Sequence, residues 1–108
     1  MTEKDRQTLS KICTDTKYTK IVITHGTDTM IDTAQVLGAK KLKGKTVVIT
    51  GAMRPQRFSN SDAAFNIGVA LGTLSQSKEG IFVSMNGVSR PWNHVKRCFK
   101  TGKFIHKD

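Results

Sequence analysis

The chain has 108 residues, 18 Lys plus Arg against 8 Asp plus Glu, a formal net charge of +10 and an apolar fraction of 37%. That length makes one small domain with a core of its own, and interspersed charge with only 2 prolines argues against a disordered chain. No apolar run approaches the roughly 20 residues of a membrane span, and the polar, mixed-sign residues Met1 to Arg6 do not read as a signal peptide.

Residues 3–13 place Leu9, Ile12 and Cys13 on one side and predict a first helix. Lys20-Ile21-Val22-Ile23-Thr24 predicts a strand, ended by His25-Gly26. Residues 28–38 carry Met30, Ile31, Ala34 and Leu37 at helical spacing, with Gly38 as the stop. Thr46-Val47-Val48-Ile49-Thr50 predicts a second strand, ended by Gly51. Residues 61–75 predict a third helix through Ala64, Phe65, Ile67, Ala70, Leu71 and Leu74, with Ser61 or Asp62 as its cap. Gly80 to Met85 predicts a third strand, ended by Asn86-Gly87. The basic tail after Gly87 has no clear period and reads as a loop with a short helix around Asn93 to Phe99.

Continuous β-branched runs suit strands covered on both faces. Strand, helix, strand, helix, strand is the pattern of a parallel α/β sheet with right-handed crossovers. Three strands alone leave both sheet edges open unless another segment or chain covers them. The expectation is therefore a marginal or self-associating sheet, and so an oligomer or an aggregation-prone chain. Gly68 and Gly72, one helical turn apart, read as a site of close helix–sheet packing.

Cys13 and Cys98 are too few for a disulfide scaffold and read as reduced thiols in a cytosolic protein. His25, His94 and His106 share no zinc-ligand spacing, so no metal site is expected. From Thr33 to Ser61 there is no acid, while Lys40, Lys41, Lys43, Lys45, Arg54 and Arg57 all fall there. A second basic run holds Arg90, Lys96, Arg97, Lys100, Lys103 and Lys107. Such charge raises the question of an anionic partner. Scattered lysines are more often a solvated surface, and 6% aromatics is thin for base stacking, so nucleic acid is not the expected partner.

Ligands of open α/β sheets bind at the carboxyl ends of the strands. Three segments occupy such ends: His25-Gly26-Thr27-Asp28-Thr29-Met30, Gly51-Ala52-Met53-Arg54-Pro55, and Asn86-Gly87. In the first, a strand stops, a glycine turns the chain, and Thr and Asp stand at the start of a helix. The helix N-terminus offers free N–H groups to a carboxylate or a developing oxyanion. Thr27, Asp28 or Thr29 can also serve simply as the helix cap. Gly44-Lys45-Thr46 is no phosphate loop, because it precedes its strand and its glycine spacing is wrong.

Ile23-Thr24-His25-Gly26-Thr27-Asp28-Thr29-Met30 is similar to the second signature of the L-asparaginase family. Val48-Ile49-Thr50-Gly51-Ala52-Met53-Arg54-Pro55, Ser61-Asp62-Ala63-Ala64-Phe65-Asn66-Ile67-Gly68 and Val83-Ser84-Met85-Asn86-Gly87 resemble the segments that follow, in order and spacing. The likeness runs from Met1 to Phe104 and is strongest to short bacterial asparaginase-like proteins. It implies a single flavodoxin-like, three-layer α/β domain over residues 1–108. It also implies a cytoplasmic homo-oligomer without cofactor or membrane association. The reaction implied is hydrolysis of the side-chain amide of the small-molecule substrate L-asparagine to aspartate and ammonia.

By resemblance, Thr27 works catalytically with Asp28 and a later lysine. Gly26, Thr27, Asp28 and Ala52 contact the substrate. The segment Asn93-His94-Val95-Lys96-Arg97 puts Arg97 at the lysine position, and a shift of one residue restores Lys96. The family's other threonine lies in a Thr-Gly-Gly-Thr segment, which these residues do not contain. An N-terminally truncated domain of low activity is therefore expected. Two readings stand beside the amidohydrolase: a non-catalytic amino-acid-binding module, and an interaction protein that uses its basic surface.

Overall fold

A reciprocal cap starts the first helix: the Asp5 N–H donates to Thr2 Oγ1 at 3.1 Å, and the Thr2 N–H donates to Asp5 Oδ2 at 3.0 Å. These bonds hold the Asp5 carboxyl below its ordinary pKa. The computed structural model describes residues 1–53 and 61–108. Arg54, Pro55 and Arg57, singled out above, lie outside the described residues.

The elements run α1 (Glu3–Asp15), β1 (Lys20–Thr24), α2 (Met30–Ala39), β2 (Thr46–Thr50), α3 (Ala63–Gln76) and β3 (Gly80–Met85). Then follow β4 (Val88–Pro91), a single 3-10 turn (Trp92–His94), β5 (Val95–Arg97) and β6 (Phe104–His106). β1, β2 and β3 have the bounds expected from their β-branched runs, and they pair in parallel with Ile21 opposite Val47 and Val47 opposite Ile81. The main sheet has the order β1-β2-β3-β4.

Residue parity along the strands sorts the core into two layers. Ile21, Ile23, Val47, Ile49, Ile81, Val83 and Met85 face α1, α2 and the β5–β6 ribbon, meeting Cys13, Met30, Ala34, Leu37, Val95 and Phe104. Val22, Val48 and Phe82 face α3 through Ala70 and Leu74. Val47, Val48 and Ile49 are fully buried, each contributing about 1.5–3 kcal/mol of apolar transfer. The result is a three-layer α/β fold. No helix among the described residues is long and apolar enough to cross a membrane.

The tail departs from expectation. Around Asn93 to Phe99 there is no α-helix but the 3-10 turn and β5, and Val88–Pro91 forms a fourth strand antiparallel to β3. The cause is the Asn86-Gly87 pair, whose φ values of 55° and 81° make a two-residue hairpin turn rather than a plain strand end. The sheet is therefore mixed, and β3 is not an edge. β1 and β4 are the edges, and β4 carries Arg90 and Pro91, which blunt it against further pairing.

Three glycines also differ from expectation. Gly38 does not stop α2, which continues to Ala39; the left-handed residue is Lys41, with φ 49°. Gly38 is small because the Trp92 ring lies on it: a Cβ there would sit 2.2 Å from Trp92 Cδ2. Gly68 and Gly72 make no close helix–sheet contact, since a Cβ on either would meet nothing within 4 Å.

Candidate functional site

Two backbone turns meet where β1 and β2 end. The ladder continues one step past β1, with the His25 N–H donating to Thr50 O at 2.8 Å. Gly51 then crosses so close to His25 that a Cβ would lie 2.1 Å from the His25 carbonyl oxygen. Only glycine permits that approach. A cavity of about 350 Å³ opens there, lined by Thr24, His25 and Gly26 from the β1 side, Gly51 and Ala52 from β2, and Ala63 and Ile67 from α3.

His25 is a structural pin with both ring nitrogens engaged. Nδ1 lies 2.7 Å from Gly26 O, an acceptor, so Nδ1 carries the proton in the neutral ring. Nε2 then accepts from the hydroxyl of buried Thr33 at 2.8 Å, and that hydroxyl in turn accepts from Arg6 Nε at 3.2 Å. This chain fixes the turn that presents Gly26 and the residues after it.

Thr27, Asp28 and Thr29 lie between that turn and α2. Thr29 is the N-cap of α2 but makes no side-chain capping bond. Thr27 is half-buried, and its hydroxyl takes no partner among the described residues. Gly26 and Ala52 line the cavity, while Thr27 and Asp28 follow Gly26 on the same turn without lining it.

The Asp28 carboxylate reaches across the molecule instead of capping. Arg97 Nη1 donates to Asp28 Oδ1 at 3.2 Å. Arg97 is itself anchored: its Nε donates to Gly102 O at 2.9 Å, and its guanidinium lies 5.4 Å from the centre of the Phe104 ring. Lys96 is exposed and alternates to the opposite face of the β5–β6 ribbon, where it pairs in register with Ile105. Of the two candidate cations, the fold brings Arg97 to Asp28 and leaves Lys96 away from it.

Asn66 was not among the sequence candidates. It is buried, and its Nδ2 donates at 2.8 Å both to Gly51 O and to Asp62 Oδ2. Asp62 Oδ2 also accepts the Met53 N–H at 3.1 Å. Asn66 therefore ties α3 to the Gly51–Met53 turn that forms one wall of the cavity. Its Oδ1 is buried without a partner among the described residues. The signal was present in the spacing: Asn66, Ala70 and Leu74 form the buried stripe of α3, and an amide on such a stripe needs polar partners.

Among the described residues, no group of three or more His, Cys, Asp or Glu gathers as metal ligands would. The arrangement is thus one of a hydroxyl with no partner among the described residues, a carboxylate steered by a guanidinium, and a helix N-terminus, beside an open cavity with a mainly apolar wall.

The family model described as asparaginase, N-terminal, matches residues 1–104. The chain is 42% identical over 80 residues to L-asparaginase 2 of Escherichia coli (strain K12), which covers 70% of this chain and 23% of that protein. It is 41% identical over 69 residues to the glutaminase-asparaginase of Acinetobacter glutaminasificans, covering 61% of this chain and 21% of that one. Among solved structures, the thermostable L-asparaginase from Thermococcus kodakarensis superposes with a TM-score of 0.90 at 30% identity, over 98% of this chain and 34% of that one. The chain thus spans under a quarter of the two curated relatives, at 23% and 21%.

Proposed function

Because this chain belongs to the asparaginase family, matching its N-terminal domain, we propose that it is an amidohydrolase unit that cleaves the side-chain amide of L-asparagine to aspartate and ammonia. The observation that carries the reading is the Arg97–Asp28 pair beside Thr27, at the carboxyl ends of β1 and β2. In this scheme the Thr27 hydroxyl, or a water it orients, adds to the amide carbon. The first-turn N–H groups of α2 face the oxygen that becomes negative. The proton released by the nucleophile passes to the amide nitrogen, the carbon–nitrogen bond breaks and ammonia leaves; where Thr27 is the nucleophile, water then cleaves the resulting ester and returns the Thr27 hydroxyl. Asp28 holds the substrate ammonium, and Arg97 holds Asp28. Gly26 and Ala52 offer backbone groups to the substrate from either side of the cavity.

A guanidinium stays protonated throughout and takes no proton from the nucleophile. Arg97 therefore supplies position and charge, not base catalysis. This favours a second reading of the same site, an amino-acid-binding module with little turnover. Slow turnover is expected of these 108 residues alone, which contain no Thr-Gly-Gly-Thr segment. One methylene separates asparagine from glutamine and is worth about 1–3 kcal/mol in a fitted pocket. The relative bearing the name glutaminase-asparaginase makes both amides necessary substrates to test.

The test is ammonia release from L-asparagine and L-glutamine, run beside calorimetric titration with each. Saturable release that Thr27→Ala abolishes supports the hydrolase. Saturable binding without release supports the binding module, and the absence of both refutes the two together.

Residues 1–108 are proposed to act as one domain, in a homo-oligomer. Supporting the oligomer are the unpaired edge of β1 and the exposed side chains of Ile12, Tyr18, Phe65 and Leu71. Sedimentation velocity showing only monomer contradicts it. The unpaired thiols of Cys13 and Cys98 support a reducing compartment such as the cytoplasm.

A further inference from the structure

A second cavity, of about 710 Å³, lies at the opposite end of the sheet, where β2 begins. Lys11 of α1 and Lys40, Lys41, Lys43 and Lys45 of the α2–β2 connection all line it. Four of these lysines are neighbours in the sequence, and the fold adds Lys11 of α1 to them in one cleft. Asp15 is the only acid among the lining residues, and Lys11 already engages it at 3.1 Å. Lys45 is held by the Cys13 and Thr16 carbonyls. Lys40, Lys41 and Lys43 are exposed, and their ammonium groups take no partner among the described residues.

The backbone carrying these three is fixed. The Lys40 and Lys41 N–H groups donate to Leu37 O and Gly38 O at 3.2 Å, the Lys45 N–H donates to Leu42 O at 3.1 Å, and the Gly44 N–H is bound by Glu79. The backbone spacing of these lysines is therefore set; the one acid lining this cleft, Asp15, is engaged by Lys11, and Glu79, bound to Gly44, shares the neighbouring cavity with Lys41 and Lys43 without an ion pair to either among the described residues.

The kind of anion follows from what the cleft lacks. It has no helix N-terminus; α1 and α2 both end here, and their last carbonyls carry partial negative charge. A lone small anion seated among those carbonyls gains little. A chain of phosphates crossing the lysine row gains at each ammonium and releases its counterions. No aromatic ring and no arginine lines the cleft, so nothing there stacks on a base or reads one. We propose that this cleft binds the phosphate backbone of a nucleic acid without reading its sequence. The proposal does not depend on the amidohydrolase reading, because the two cavities share no lining residue.

The test is fluorescence anisotropy of the intact chain with a labelled mixed-sequence RNA of about 20 nucleotides, at several salt concentrations. Lys40→Gln/Lys41→Asn/Lys43→Gln is expected to weaken binding at least tenfold. It should also flatten the log–log salt slope by about 2, since each lost single-strand phosphate contact removes about 0.7. The control Lys100→Gln/Lys103→Gln/Lys107→Gln removes the same formal charge elsewhere and is expected to change affinity less than threefold. Lys43→Gln alone should weaken binding about threefold with an unchanged melting curve, which separates contact loss from unfolding. The proposal is overturned by no RNA binding at low salt, or by equal losses in the two triple variants. Displacement of the RNA by millimolar inorganic phosphate at constant ionic strength would also overturn it, since that marks a small-anion site.

Discussion

Asp28 and Arg97 are 69 positions apart in the chain and 3.2 Å apart in the fold. The contact exists because the Asn86-Gly87 hairpin and the 3-10 turn bring β5 back over the carboxyl end of β1. Asp28 is 96% exposed and Arg97 31%, so solvent screens the pair and its contribution to stability is small, about 0–1 kcal/mol. In the proposed function its role is to orient the ligand. Arg97→Ala is expected to leave the melting temperature within a few degrees of wild type but to weaken L-asparagine or L-aspartate binding about tenfold, the scale of one lost charge-assisted contact. Lys96→Ala, on the other face of the ribbon, is expected to change neither. Calorimetric titration of the two variants distinguishes them.

Gly51 and Gly68 make opposite forecasts for the same substitution. A Cβ at Gly51 lies 2.1 Å from the His25 oxygen, a backbone atom held by the sheet ladder. Gly51→Ala is expected to destabilise by about 1–3 kcal/mol, the range for an overpacked contact. Gly68 sits inside α3 facing solvent, with nothing within 4 Å of a Cβ. Gly68→Ala is expected to stabilise by about 0.4–1 kcal/mol. Thermal melts of the two variants check both signs.

Asn66→Ala removes the buried amide that donates to Gly51 O and Asp62 Oδ2 and so unties α3 from the Gly51–Met53 turn, although Asp62 Oδ2 keeps the Met53 N–H. The expected loss is about 2–3 kcal/mol. Urea denaturation is the measurement, and a loss below 0.5 kcal/mol would contradict this account of the β2 turn.

The two cysteines should separate by pH. Hydrogen bonds from Thr101, first through its side chain, draw the Cys98 thiol below its ordinary pKa. Burial pushes the Cys13 thiol up, with Lys45 opposing only in part. The thiolate is the reactive form, so Cys98 has the larger reactive fraction at neutral pH and Cys13 gains its own only at more alkaline pH. Iodoacetamide labelling read by peptide mass spectrometry should find Cys98 modified first, and the gap should narrow as pH rises.

The layers of this fold were legible because their signals are local and redundant. Ile21 to Ile23 and Val47 to Ile49 are unbroken β-branched runs, and each is followed by a helical period long enough to count. β4, β5 and β6 were not legible, because strands of three or four residues carry no measurable period. The one local clue is Asn86-Gly87, a pair that can end a strand but is also a strong hairpin signal. The Thr27–Asp28 turn was legible from a strand, a glycine and a helix start in succession. The choice of Arg97 over Lys96 was not, because strand register decides which neighbour faces Asp28, and a shift of one residue inverts every side chain. The reason for Gly38 is not local: it is Trp92, more than fifty positions away and brought onto it only once the tail has folded back.

The central claim is that an amino-acid amide binds where β1 and β2 end. Its most direct test is a titration of the ¹⁵N-labelled chain with L-asparagine, followed by amide resonance shifts. The account predicts saturable shifts centred on Gly26, Thr27, Asp28 and Ala52, largely lost in Asp28→Ala. Shifts that never saturate, or that cluster away from these residues, would contradict it.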